Sequence, residues 1–150
     1  MSFVDTYALR GDGRQLEVLA LRRGNNGRCP GSWETVHGTI EPGETPVQAS
    51  VRELREETSL APERLYNLSR TEAFYQHGTD ELALIPVFAA FVSAQATVRL
   101  SAEHDRAEWL SGKTAASRFA WPRERRALDD ILSIVGGGDA GLLEDVLRVS

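Results

Sequence analysis

Cysteine is almost absent from this chain. Cys29 is the only one in 150 residues, so no intrachain disulfide can form and a reducing compartment, the cytoplasm, is the expected setting. Cys29 lies in a Gly/Asn/Pro-rich stretch without a nearby His or Asp, and reads as an incidental loop residue. Long apolar runs are missing too. No stretch approaches the roughly 20 residues that a membrane-spanning helix requires, and Met1-Ser2-Phe3-Val4-Asp5 lacks the basic start and apolar run of a signal peptide. A membrane is therefore not an expected partner. Basic charge is in deficit, with 17 Lys and Arg against 22 Asp and Glu and a formal net charge of −5. That balance argues against a nucleic acid polymer as partner, since surfaces that bind one are usually basic. It leaves room for a single nucleotide, because divalent metal can lie between an acidic site and a phosphate chain. Internal repeats and low-complexity segments are also lacking.

What is present is an ordinary globular balance, 41% hydrophobic and 26% charged. The length suits one domain over residues 1–150, with a core at 3–135 and a tail at 136–150. Phe3 to Leu9 and Leu16 to Leu21 read as a strand pair joined by a turn at Asp12-Gly13. Residues 24–32 are turn-formers, and Trp33 to His37 reads as a short strand leading into Gly38. Downstream, 65–76, 83–97 and 107–110 read as strands, with Pro86 marking a bulge or an edge position. A helix opens at Trp121-Pro122 and lasts to about Val135, where Gly136-Gly137-Gly138 ends it. Leu142, Leu143, Val146 and Leu147 outline a short terminal helix, an apolar stripe that can pack within one chain or between two as a homodimer.

The most informative segment is a helix spanning Thr45 to about Thr58. Thr45 reads as N-cap, Pro46 as the first helical residue, and Gln48 completes a capping box. Val47, Val51, Leu54 and Thr58 share one face. Glu53, Glu56 and Glu57 project within about a quarter-turn of one another on the other side, flanked by Arg52 and Arg55. Taken alone, such a face reads first as a solvated surface laced with Arg–Glu pairs. The surrounding residues decide between the two.

Residues 38–60, GTIEPGETPVQASVRELREETSL, closely resemble the signature of the Nudix hydrolases. Gly38, Glu44, Arg52, Glu53, Leu54, Glu56, Glu57 and Leu60 fall in register with it. Ser59 replaces the final glycine, which bears on how the helix ends rather than on the carboxylates. The resemblance implies an α/β fold, the Nudix-type α/β/α sandwich with a mixed central sheet. It implies an enzyme that hydrolyses a diphosphate linkage with Mg²⁺, which Mn²⁺ can replace. It further implies Glu53 and Glu57 as principal metal ligands, Glu56 as a further ligand or helper, Gly38 as the point where backbone approaches the metal, and Glu44 as the partner that orients the cluster through Arg52. The chemistry suits those residues: Mg²⁺ takes oxygen ligands, bridges carboxylates to phosphate and activates water.

Outside this segment, Ser32-Trp33-Glu34-Thr35-Val36, Leu21-Arg22-Arg23, and Glu103-His104 followed by Glu108-Trp109-Leu110 look similar to the dATP and dihydroneopterin triphosphate pyrophosphohydrolase branch. There, a glutamate from a late loop can complete the metal site or act as general base, and Glu103 is the candidate. Arg22 or Arg23 is a candidate to hold a terminal phosphate, or is surface arginine. Trp33 is a candidate to stack on a base or pterin, or a core aromatic, as are Phe74, Tyr75 and Trp109. His37 is a candidate to line the cleft. The expected substrate is a small diphosphate compound, foremost a nucleoside or pterin triphosphate cleaved to release pyrophosphate. The alternatives are a dinucleoside polyphosphate, nucleotide sugar or ADP-ribose, then a non-catalytic nucleotide-binding module, and last an isopentenyl diphosphate isomerase relying on Cys29.

Overall fold

Runs rich in β-branched and aromatic residues form the strands. In the computed structural model, which describes residues 2–150, β1 is Phe3–Arg10 and β2 is Glu17–Arg23, joined through one turn of 3-10 helix at Gly13–Gln15. They pair antiparallel, but only at Leu9↔Val18 and Arg10↔Glu17. Further along, β4 (Val36–Thr39) takes the place of β2 beside β1, and β3 (Trp33–Glu34) runs beside β2. The short strand expected at Trp33 to His37 is therefore two strands, split at Thr35. The Thr35 hydroxyl donates to Thr6 O at 2.7 Å and its backbone N–H to the Glu124 carboxylate at 2.6 Å, satisfying the break with side-chain partners.

β5 (Arg64–Gln76) and β6 (Glu81–Phe91) form a long antiparallel hairpin, and β6 runs parallel to β1 from Val87 onward. Pro86 stands one residue before that parallel register begins, where its missing N–H costs least. The run expected to continue to residue 97 stops at Phe91, because Ser93 turns the chain: its hydroxyl accepts from Gln95 N at 3.2 Å. β7 (His104–Ser111) pairs along the full length of β2. The product is a seven-stranded mixed sheet, ordered β3-β2-β1-β6-β5, with β4 beside β1 and β7 beside β2.

Helix α1 (Pro46–Thr58) covers one face, burying Leu54 and Ala49 against Val4, Leu21, Phe88 and Ala90. Helices α2 (Gly112–Arg118) and α3 (Pro122–Ile134) cover the other, where Leu128 and Ile131 meet Tyr7, Val87 and Phe119. This is the expected α/β/α sandwich. Helix α2 is too short to show an apolar period, and its N-cap Ser111, accepting from Thr114 N at 3.3 Å, was its one local sign. The last residues return to the sheet: Leu147 is buried, Val149 N donates to Leu65 O at 2.8 Å, and Leu65 N to Ser150 O at 3.0 Å. Leu142 and Val146, by contrast, are exposed. Among the described residues no helix is long and apolar enough to cross a membrane.

Both ends of α1 follow local rules. Thr45 Oγ1 accepts from Gln48 N at 3.2 Å while Gln48 Oε1 accepts from Thr45 N at 2.9 Å. At the other end Ser59 is left-handed, with φ 64°, a conformation that costs a side-chain-bearing residue about 1 kcal/mol. Ser59→Gly should accordingly raise stability by about 0.5–1 kcal/mol in chemical denaturation and leave hydrolysis unchanged. A lowered denaturation midpoint would show instead that the exposed Ser59 Oγ to Arg99 O bond, at 3.3 Å, outweighs the strain.

Candidate active site

Glu53 and Glu57 stand one turn apart on α1, and Glu103 approaches from the loop before β7. With Gly38, Arg23 and Arg28 they line one side of a cleft of about 430 Å³. Three outward-facing glutamates were expected on α1, but the structure separates them. Successive residues diverge by about 100° on a helix, so Glu57 turns in toward the core, 3% exposed, while Glu56 turns out. Glu56 lies outside the cleft and accepts from Arg52 at 3.1 Å.

Burial pushes the Glu57 carboxyl up to about 9, and the nearby charges of Glu103, Glu53 and Glu34 push in the same direction. Its Oε2 is buried without a hydrogen-bond partner. Burial also raises Glu53, although Arg52 works against it. These carboxylates are short of positive charge, which is costly for buried acids.

Arg52 braces the cluster from outside. Its Nε and Nη2 grip Glu44 at 2.8 and 2.9 Å, Nη2 also donates to Thr39 O at 2.7 Å, and Nη1 donates to Glu53 Oε1 at 2.8 Å. The fork's hydrogen bonds, followed by one from Glu41 N, hold Glu44 down at about 2. Gly38 serves by having no side chain. A Cβ there would lie 2.0 Å from Glu53 Cδ, so β4 and the carboxylate can approach only at a glycine.

Arg23 is a buried hub. Nη1 donates to Glu34 at 3.3 Å and lies 3.8 Å from Glu103, and Nε donates to Arg28 O at 3.1 Å. Burial pushes Glu34 up, but the bond to His104 (3.0 Å) and the charges of His104 and Arg23 outweigh it and hold Glu34 below the usual range. Arg22 points elsewhere, pairing with exposed Asp105 at 2.7 Å. Trp33 is also outside the cleft, packed on the core with Arg118 4.8 Å above its ring.

Of the remaining cleft residues, His37 and Phe74 were candidates in the sequence, whereas Phe3, Trp121 and Arg123 were not. Beneath them Asp5, wholly buried, accepts from His37 Nδ1 at 2.7 Å and Arg123 Nε at 2.8 Å. An aspartate inside the largely apolar strand Phe3 to Leu9 was the available signal, because a buried charge needs partners.

The donor set can be weighed against a divalent cation. Among the described residues, no three His, Cys, Asp or Glu side chains already converge as a metal cage would. Mg²⁺ seldom needs a cage. It binds through one or two carboxylates and fills its shell with water and phosphate oxygens. The orphaned Glu57 oxygen, adjacent Glu53 and the local excess of negative charge fit such an ion.

Comparison with known proteins agrees with this fold. The NUDIX domain pattern matches residues 4–131, from β1 into α3. An octanoyltransferase from Myxococcus xanthus is 38% identical over 121 residues, which are 79% of this chain but 33% of that protein. The chain thus spans about a third of that relative's length. An Ap4A hydrolase from C. elegans, solved as a binary complex, shares the fold with a TM-score of 0.74 at 21% identity, over 90% of this chain and 97% of that one. The E. coli dihydroneopterin triphosphate pyrophosphohydrolase does so with a TM-score of 0.68 at 23% identity, over 87% and 94%. The sequence pattern and the fold point to one family. The chain belongs to the NUDIX domain family.

Proposed function

We propose that this enzyme hydrolyses a nucleoside or pterin triphosphate between the α- and β-phosphates, releasing pyrophosphate, with Mg²⁺ held by Glu53 and Glu57. The observation that carries the reading is the buried, unpartnered Glu57 oxygen beside two further carboxylates in one cleft. When bound, the cation supplies charge neutralisation at the phosphate oxygens and acidifies coordinated water. The chain's own residues do the rest. Arg52 keeps Glu53 in place, and Gly38 leaves room for it. Arg23 and Arg28 bring positive charge to non-bridging oxygens along the cleft wall. Glu103, 58% exposed and tethered only loosely by Arg23, takes the proton of the attacking water.

Glu103→Gln should therefore lower kcat by about tenfold or more with little change in thermal midpoint; near-normal turnover would remove Glu103 from the reaction. The aromatic residues lining the cleft, Phe3, Phe74 and Trp121, favour a substrate with one heterocyclic base over a dinucleoside polyphosphate with two. Product analysis across these compounds with Mg²⁺ tests the choice. The highest kcat/KM should fall on a triphosphate yielding pyrophosphate. Preference for a dinucleotide or a sugar nucleotide would overturn the substrate while leaving the bond type intact.

A further inference from the structure

Strand β6 carries an apolar stripe that outruns its cover. Phe88 and Ala90 are buried in the layer that α1 closes. Side chains alternate across a strand, so Pro86, Leu84 and Leu82 continue on that same face. The cover ends before them: Leu84 is 43% exposed and Leu82 71%. Strand β5 widens the stripe, because Thr71, Ala73 and Tyr75 stand directly opposite Pro86, Leu84 and Leu82. Directly opposed residues share one side of a sheet, and Tyr75 is 56% exposed. These side chains make an apolar patch on the order of 300 Å², a size that marks an interaction site rather than scattered surface residues.

The other side of the same arm faces the cleft, which Phe74, Gln76 and Ile85 line. The arm is only two strands wide there, since the register of β6 with β1 begins at Val87. A two-stranded hairpin without a further layer is marginally stable. A layer packed on the outer face would therefore steady one wall of the cleft.

Charge selects what that layer is. In a two-fold contact the same surface meets itself, so every charged side chain in the patch faces its like. This chain carries a formal net charge of −5, and most of its surface is ill suited to such a contact. The patch contains no charged side chain, and Asp80 at its end is held by the Tyr75 hydroxyl, which donates to it at 2.9 Å. The other exposed apolar stripe, at Leu142, Leu143 and Val146, is interleaved with Asp139, Glu144 and Asp145, so two copies meeting there would set acid against acid. A partner recognised by its charge would find nothing to read on the hairpin face.

We propose that the outer face of the β5–β6 arm is a homodimer contact, in which two copies of this chain lay their arms face to face about a two-fold axis. A stable dimer buries roughly 800 Å² on each partner. The patch forms its apolar centre, and the turn at residues 77–80 with the adjoining edge of β5 forms its polar rim.

Analytical ultracentrifugation tests the proposal without substrate or metal. Wild-type protein at about 50 µM should sediment as a dimer. Leu82→Glu places an unpaired charge from each copy in the contact, and should raise the dissociation constant at least about 100-fold with unchanged far-UV circular dichroism. Leu84→Glu makes the same test if Leu82→Glu does not fold. Val146→Glu, on the other stripe, should leave the dimer intact. A monomeric wild type, a dimer that survives a folded Leu82→Glu or Leu84→Glu, or a dimer dispersed by Val146→Glu would overturn the proposal. None of these outcomes depends on what the cleft hydrolyses.

Discussion

Glu57→Gln is expected to lower kcat by about 10³-fold or more, the size of effect that loss of a metal's charge stabilisation produces, and yet to stabilise the cation-free protein. The two effects share one cause. Burial, then the charges of Glu103, Glu53 and Glu34, raise the folded carboxyl to about 9 from its ordinary 4.5. Between those values the unfolded chain has released a proton that the folded chain retains, so stability falls as pH rises through this window. Below it both states are protonated and the penalty vanishes. Glutamine removes the ionisation while keeping the volume. In chelator, the melting temperature of the variant should exceed that of the wild type by several degrees at pH 8, with the gap closing toward pH 5. Mg²⁺ should raise the wild-type midpoint at pH 8 and leave the variant largely unmoved. A variant less stable than the wild type at pH 8 would contradict the account of Glu57 as an uncompensated buried acid.

Gly38→Ala separates geometry from charge. The new Cβ would lie 2.0, 2.2 and 2.3 Å from Glu53 Cδ, Cγ and Oε1. β4 cannot retreat, because Val4↔Gly38 and Asp5↔His37 register it against β1. The flexible carboxylate end of Glu53 must swing away and leave Arg52. Stability should change little, since only the end of a side chain moves, whereas kcat/KM should fall by about 10²-fold, as expected for a catalytic group displaced by an ångström or more. Unaltered far-UV circular dichroism with this loss would support the close approach of strand and carboxylate. Wild-type activity would show that the position of Glu53 is not critical.

Local signals made α1 legible. Thr45, Pro46 and Gln48 mark its start, and the register from Gly38 to Leu60 points to the family before any coordinates. The fates of its three glutamates were not legible in the same way. Whether Glu57 or Glu56 turns inward depends on where the helix rests on the sheet, and only packing settles that. The strand pair β1–β2 was visible, but the parallel partnership of β1 with β6 joins residues about 80 apart and leaves no local mark. Long-range ion pairs were similarly hidden. Arg123 reaches Asp5 across 118 positions, and Glu124 accepts from Thr35 across 89. Arg22 and Arg23, adjacent in sequence, part company because side chains alternate along β2: one pairs with Asp105 at the surface and the other enters the cleft. Trp33, a plausible stacking residue by type, faces Arg118 instead.

The most direct test of the central claim is phosphorus NMR of a nucleoside triphosphate incubated with the purified protein, with Mg²⁺ and then with chelator, using wild type and Glu57→Gln. Nucleoside monophosphate and pyrophosphate should form only with wild type and Mg²⁺. Orthophosphate as the sole inorganic product would contradict cleavage between the α- and β-phosphates, and pyrophosphate release that persists in chelator or in Glu57→Gln would contradict the assignment of the Glu53 and Glu57 cleft as a metal-dependent diphosphate hydrolase site.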